Sequence, residues 1–394
     1  MHLLESFALS SGKKIDKIQI LEKFYPVPFD KYILLQPFSK DSKNYDYWEE
    51  VIFLIFPFLK ERGIHIVQVG GANEKPLMGC YHLQGKTRIN ETAFLIKNSL
   101  LFFGADSFGT HLAGHYDIPL VALYSNNYKE CVRPYFGNIR KQILLEPDRP
   151  NDEKPSFSYQ ENPKTINRIK PETIANAILQ LLGVEEKIKF KTLHFGQFYT
   201  QPRFIEMVPD IAINTQNLNL DTIIVRMDFE YNENVLLNQL RISNCSIVTD
   251  KPIKREILDT FKSRLKQIIY IITEDNDPDF AMYLHKSGIN YALISYLPSE
   301  VLDRYKLAYL DTGIIHRREN YRSIQDTPVK DVDPKKLFYK TNKTTLAKQK
   351  IFPSRAALEQ NHSIETIHQN FEPIIDTPSF WSELDFMMLV EVLD

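Results

Sequence analysis

Short apolar runs alternate with helix-length amphipathic stretches through most of this chain. Residues 32–36 (YILLQ), 64–69 (IHIVQV), 100–104 (LLFFG) and 119–124 (PLVALY) are strand-length runs, the first closed by Pro37 and the second by Gly70 and Gly71. Residues 45–62, 90–98 and 110–116 read as helices between them, with Gly63 placed to end the first and Pro57 predicting a kink or early end inside it. Residues 146–168 are rich in proline and charge and read as a long loop. A helix over 171–182 follows, with Pro171 at its first position and Gly183 just past its end. A second strand–helix series begins near residue 221. It has strands at 222–227, 245–249, 268–273 and 291–295, and helices at 253–267 and 278–287. Beyond residue 326 the chain becomes basic and irregular, then ends in an acidic, apolar segment that carries Trp381.

Alternation of this kind predicts parallel sheets flanked by helices, hence an α/β protein. The expected organisation is a connecting segment at 1–30, a Rossmann-like domain at 31–183, a linker at 184–220, a second Rossmann-like domain at 221–326, and a basic extension at 327–394. No repeat of solenoid period is visible.

Composition narrows the class. The chain has 394 residues, with 48 Lys and Arg against 50 Asp and Glu, so no global field advertises nucleic acid or an anionic membrane. Only 14 glycines accompany 25 Phe and 20 Tyr, which excludes collagen-like and disordered classes and leaves ample material for cores. Cys80, Cys131 and Cys245 are far apart and lack CxxC spacing, which fits a reducing compartment. The N-terminus carries Glu5 and no basic region before its short apolar stretch, so it makes a poor signal peptide. The longest apolar run, residues 51–59, is far below the roughly 20 residues of a membrane span. A cytoplasmic protein is expected, with a peripheral place at a membrane left open.

Three strand-to-helix junctions carry candidate chemistry. In residues 101–113 a strand ends, Asp106 stands at its carboxyl end, and Ser107, Gly109 and Thr110 lead into a helix that bears His111. Ligands of open α/β sheets bind at the carboxyl ends of strands, and a helix N-terminus offers N–H groups to phosphate. The bland alternative is a plain junction with Asp106 or Ser107 as helix cap. The first strand leads to Ser39 and Lys43, a hydroxyl donor and a cation suited to a diphosphate, or else an ordinary surface loop. The third junction, Gly70-Gly71 and its neighbours, permits a tight turn but is not GxGxxG.

Taken together, QPFSKDSKNYDYW, IHIVQVGGANE and GKTRINETAFLIKNSLLFFGADSFGTHLAGHYDIPLVALYS resemble, in order and spacing, the donor-binding half of glycosyltransferase family 9. These are the lipopolysaccharide heptosyltransferases of GT-B fold, two Rossmann-like domains with parallel sheets facing a cleft. The resemblance spans residues 31–183, closing on a helix in INRIKPETIANAILQLLG. It implies that Ser39 and Lys43 hold a diphosphate, that Glu91 lies near the nucleoside ribose and Asp106 near the donor sugar, and that Ser107, Gly109, Thr110 and His111 line the phosphate end. One departure is Phe108, which stands where the family has glycine, with Gly109 one place later.

In the family the acceptor half comes first. Here residues 221–240 (DTIIVRMDFEYNENVLLNQL) are faintly similar to its opening strand and acidic loop, without its Gly-Asp pair, which suggests a circular permutation. An inverting transfer needs a general base across from the donor. Asp228, Glu230 and Glu233 are the candidates, with Asp228 and Glu233 favoured. Positive donors and helix N–H groups would stabilise the leaving diphosphate, so neither metal nor cofactor is expected.

Other metal signals are weak. His111 and His115 have zincin spacing without the zincin Glu, and the acids at 274–279 read as a loop with Asp277 capping a helix. Lys335, Lys336 and Lys340 lie in a basic stretch interleaved with aromatics, a candidate surface for an anionic acceptor. The expected activity is transfer of a sugar from a nucleotide-diphosphate sugar to a hydroxyl of a glycan or glycolipid. The rivals are a non-catalytic nucleotide-sugar or glycan-binding protein, and a transferase that modifies nucleic acid.

Overall fold

The computed structural model describes residues 1–150, 153–200, 203–214, 222–276, 278–367 and 370–394. Two compact units are present, Met1–Lys191 and Thr192–Leu393.

The first unit begins with helix α1 (Leu3–Ser11) and an extended segment. It continues through β1 (Tyr32–Gln36), α2 (Trp48–Glu61), β2 (His65–Gln68), β3 (Tyr81–His82), α3 (Ile89–Lys97), β4 (Phe102–Ala105), α4 (Phe108–His115), β5 (Leu120–Leu123), α5 (Lys129–Val132), β6 (Gln142–Leu145) and α6 (Pro171–Leu181). The six strands are parallel, in the order β3-β2-β1-β4-β5-β6. Every residue of β1, β4 and β5 is buried, which is why these strands read as continuous apolar runs: helices cover both faces. Ala93, Ile96, Leu112 and Ala113 of α3 and α4 pack on Leu34, Phe102 and Leu120. Helix α2 runs unbroken through Pro57, losing one ladder bond but burying Val51, Ile55 and Leu59.

The second unit contains β7 (Phe190–Phe195), β8 (Phe204–Met207), β9 (Thr222–Arg226), α7 (Glu233–Ile242), β10 (Asn244–Thr249), α8 (Arg255–Thr260), β11 (Leu265–Ile272), α9 (Pro278–Ser287), β12 (Tyr291–Ser295), α10 (Ser299–Lys306) and β13 (Ile315–Arg317). There follow β14 (Leu337–Thr341), β15 (Lys343–Ala347), β16 (Lys350–Phe352), α11 (Arg355–Glu359), β17 (Glu372–Pro373), α12 (Pro378–Trp381) and β18 (Met387–Val392). One sheet has the order β13-β12-β11-β10-β9-β8-β15-β16, parallel except for β16, and a second has the order β17-β14-β18-β7.

From β8 to β13 the chain steps in one direction only. Right-handed crossovers then put every helix on one face. Burial agrees: Ile223, Val225, Ile247, Ile268, Tyr270 and Leu293 pack against Leu236, Leu258, Phe280 and Leu302 of the helices. The alternate residues, among them Ile224, Ile269, Ile271 and Ile294, are half-buried. This unit is therefore singly wound over β8–β13.

Three expectations need correction. The stretch 184–220 is no bare linker, because β7 and β8 are strands of the two sheets; its residues 201–202 and 215–220, like the predicted boundary residue Asp221, lie outside the described residues. The stretch 327–394 is no appended extension, since it supplies β14 to β18 and a core around Tyr339, Phe380, Trp381 and Leu389. The predicted helix 253–267 ends at Thr260, passes through a 3-10 turn and becomes β11 from Leu265, where Ile268, Tyr270 and Ile272 alternate into the core.

Candidate functional site

The strand order of the first unit reverses between β1 and β4, and the crevice beyond two such strands is where open α/β sheets take ligands. The 3-10 turn Asp41–Lys43 follows β1, and Asp106 follows β4. The Lys43 ammonium and the Asp106 carboxylate form an ion pair there, with side chains 17% and 8% exposed. Two groups 63 residues apart in sequence are thus joined at the reversal.

Helix α4 starts beside this pair. Ser107 is its N-cap residue, but its hydroxyl does not cap; it donates to Gln36 Oε1 at 2.9 Å. The Thr110 hydroxyl donates to the Ser107 carbonyl at 2.6 Å. A Cβ on Gly109 would stand 2.3 Å from Gln36 Oε1 and 2.7 Å from the Phe102 ring, so glycine is required here by space. Phe108 is 42% exposed at the first helical position. Gln36, which fixes both Ser107 and the helix start, carried no signal in the sequence beyond its place at the end of a strand.

Burial pulls the His111 imidazole below its ordinary pKa; Asp106 opposes this, and His2 and Lys43 reinforce it. His111 therefore sits near the ion pair and is a neutral donor or acceptor at neutral pH. Asp106, Lys43, Ser107, Gly109, Thr110 and His111 all gather at this crevice.

Ser39 and Glu91 stand apart from that pair. Ser39 is exposed in the loop after β1, its N–H donating to Asn44 Oδ1 at 2.8 Å. Glu91 is the third residue of α3, where its carboxylate accepts the Arg88 N–H at 2.9 Å and the Lys23 ammonium at 2.8 Å. Those two partners, the Arg88 N–H first, hold its carboxyl below the usual range. This is a helix-capping role. It leaves Glu91 on the β3 side of the sheet's carboxyl edge.

The favoured bases of the second unit are already engaged. Both Asp228 oxygens accept from Arg226, at 2.8 and 2.7 Å, and Arg226 also reaches Glu206 at 2.7 Å. Lys343 binds Glu206 at 3.0 Å and Glu383 at 2.7 Å, with side-chain exposures of 2%, 5% and 5%. Burial alone would lift the Glu383 carboxyl, but Lys343 and Arg226 outweigh it and hold it low. For Glu233, burial is outweighed by the Lys254 N–H at 2.9 Å, the Lys254 ammonium and the Tyr231 hydroxyl, leaving its carboxyl below the usual range. Its low basicity makes Glu233 a poor proton acceptor, and Arg226 already holds both oxygens of Asp228. Glu230 is an exposed turn residue.

Lys335 and Lys336 lie on the 3-10 turn Pro334–Lys336, where Asp333 accepts the Lys335 N–H, and Lys340 lies on β14 with its ammonium 5.5 Å from the Phe371 ring. Lys343 of the same basic run is buried in the ion network, so the run does not form one continuous cationic face. Asn276 accepts the Thr273 N–H and hydroxyl, making the 274–276 stretch a turn; Asp277, the expected cap, lies outside the described residues. Among the described residues no group of three or more His, Cys, Asp or Glu is arranged to hold a metal, and no helix is long and apolar enough to cross a membrane.

Comparison with known proteins points to one family. A search of curated proteins finds no match. Among solved structures the chain is similar to E. coli ADP-heptose lipopolysaccharide heptosyltransferase II at 18% identity and TM-score 0.31, covering 40% of this chain and 48% of that one. A glycosyltransferase family 9 protein from Veillonella parvula matches at 18% identity and TM-score 0.32, covering 45% and 49%. E. coli heptosyltransferase WaaC with ADP matches at 16% identity and TM-score 0.31, covering 45% and 54%. The chain thus spans about half the length of each of these relatives. Residues 7–161, the segment that holds the β1–β4 crevice, match the model of glycosyltransferase family 9 (heptosyltransferase).

Proposed function

We propose that this protein is a glycosyltransferase that moves a sugar from a nucleotide-diphosphate sugar to an acceptor hydroxyl, without a metal and with inversion. The observation that carries the reading is the Lys43–Asp106 pair at the strand reversal, inside the segment the family model matches. An incoming diphosphate would draw Lys43 from Asp106, exchanging one charge-assisted bond for another. The freed Asp106 would accept a hydroxyl of the transferred sugar, and the first turn of α4 would face the leaving phosphate. Asp228 and Glu233 are both engaged, by Arg226 and by Lys254 and Tyr231.

That engagement favours a second reading: a nucleotide-sugar-binding protein without turnover. Thermal shift and hydrolysis against a panel of nucleotide sugars separates the two. Under the transferase reading one donor raises the melting temperature and is slowly hydrolysed, EDTA changes neither, and Lys43→Ala and Asp106→Ala reduce both, the donor concentration needed rising at least tenfold. Stabilisation with no consumption in the presence of any candidate acceptor supports the second reading. Absence of binding by every nucleotide sugar removes both.

A further inference from the structure

The proline-rich stretch after β6 is held firmly and displays aromatic rings. The Phe157 N–H donates to the Asn126 carbonyl at 2.9 Å, and the Ser42 N–H to the Tyr159 carbonyl at 3.0 Å. The Ser42 hydroxyl and the Asn126 amide both donate to the Ser158 carbonyl, at 2.8 and 3.1 Å. Asn126 also donates to the Ser42 hydroxyl at 3.0 Å. Residues 157–159 are thereby fastened to the residue preceding Lys43 and to the end of β5.

What this fastening presents is apolar. Phe157 and Tyr159 are each 59% exposed and Tyr128 is 41% exposed. Tyr128 and Phe157 lie 5.8 Å apart with rings tilted, and the Lys40 ammonium lies 5.8 Å from the Tyr159 ring. Phe157 has φ +54°, in the left-handed region that a bulky residue rarely adopts, and its ring is still turned out to solvent. Hydrophobic burial explains none of this.

Strand order says what the rings face. Glu91 opens the helix after β3, the Lys43–Asp106 pair lies beyond β1 and β4, Tyr128 follows β5, and Phe157 and Tyr159 are fastened to Asn126 after β5 and to Ser42 after β1. With its diphosphate drawn to Lys43, a nucleotide sugar that extends toward the segment fastened to Ser42 and Asn126 sets its sugar, or the acceptor beside it, over these rings. The C–H bonds on one face of a pyranose carry slight positive charge and settle over the negative face of an aromatic ring. We propose that Tyr128, Phe157 and Tyr159 form a stacking ledge for a saccharide ring, belonging either to the transferred sugar or to the acceptor. This rests on the donor reading for its direction along the sheet.

The test uses saturation-transfer NMR with the full chain and two probe sets. One set pairs ADP, UDP and GDP with ADP-glucose, UDP-glucose and GDP-mannose; the other contains free glucose-, galactose- and mannose-containing disaccharides. The ledge predicts saturation of sugar C–H protons in at least one set, lost at least tenfold in Tyr128→Ala/Phe157→Gly/Tyr159→Ala and severalfold in Tyr159→Ala alone, with unchanged circular dichroism. Binding of the bare diphosphates should stay within twofold. Signal in the first set assigns the ring to the donor, and signal in the second to the acceptor. If free disaccharides bind and depend on the ledge while no nucleotide binds, the ledge stands and the donor reading falls. Saccharide signals that survive the triple variant, or no saccharide signal in either set, overturn the ledge. Equal loss for bare diphosphates would make it a nucleobase platform and overturn it too.

Discussion

Each unit has a place where strand order reverses, and charged side chains gather at both. In the first unit it lies between β1 and β4 and holds one ion pair, Lys43 with Asp106. In the second it lies between β8 and β15, where Glu206, Arg226, Asp228, Lys343 and Glu383 form a chain of contacts. Arg226 spends its fork on Asp228, and Lys343 divides itself between two glutamates. Opening that buried network would strand several charges at once, whereas opening a single pair frees two groups that a ligand can engage. Similar topology yields a single, separable ion pair in one unit and a structural clasp in the other.

The sharpest way to break this contrast is to remove one cation from each. Lys343→Met leaves Glu206 and Glu383 buried beside a single guanidinium, and urea unfolding should report a loss of about 3–5 kcal/mol. Lys43→Ala should cost less, about 1–3 kcal/mol, because it leaves one buried carboxylate, Asp106, without its cation where Lys343→Met leaves two. Its effect belongs to binding: loss of a charge-assisted bond of about 1.5–3 kcal/mol weakens a nucleotide sugar roughly 10- to 100-fold by calorimetry. Equal stability losses in the two variants would erase the distinction.

Gly109→Ala probes how tightly the crevice is built. The new methyl meets Gln36 and the Phe102 ring, so a loss of about 1–3 kcal/mol is expected by thermal unfolding. A neutral outcome would mean that Gln36 swings away freely. The smallest effect is one of pH. His111 has a lowered pKa in the folded protein, so the unfolded chain binds its proton first as pH falls through about 6.5. Stability is therefore lost from that pH downward and is unaffected above it. His111→Gln should flatten this part of the pH–stability curve; an unchanged slope would show that another group causes it.

Much of the first unit is legible in sequence because its strands are buried on both faces and punctuated by Pro37, Gly63 and Gly70. The second unit was harder. Residues 253–267 hold enough helix formers to suggest one helix, yet the alternation of Ile268, Tyr270 and Ile272 extends the strand back to Leu265. The segment 327–394 looked irregular because β14 and β18 pair across 45 intervening residues, and no local pattern reports such pairing. Site residues divide the same way. Lys43 and Asp106 follow strands and were visible from that position alone. The engagement of Asp228 was not, since Glu206, Lys343 and Glu383 approach from distant segments. The ledge residues were hidden in a stretch whose prolines and charges suggested only a loop.

If the crevice beside Lys43 and Asp106 receives the nucleotide sugar, the clasp around Arg226 does not change when the donor binds. Hydrogen exchange with and without a saturating donor tests it directly, since bound backbone slows its own exchange. The account predicts new protection confined to residues 37–44 and 104–111, absent in Lys43→Ala, with residues 204–207 and 224–230 unchanged. Protection at the second set alone, or protection at the first that persists in Lys43→Ala, would contradict it.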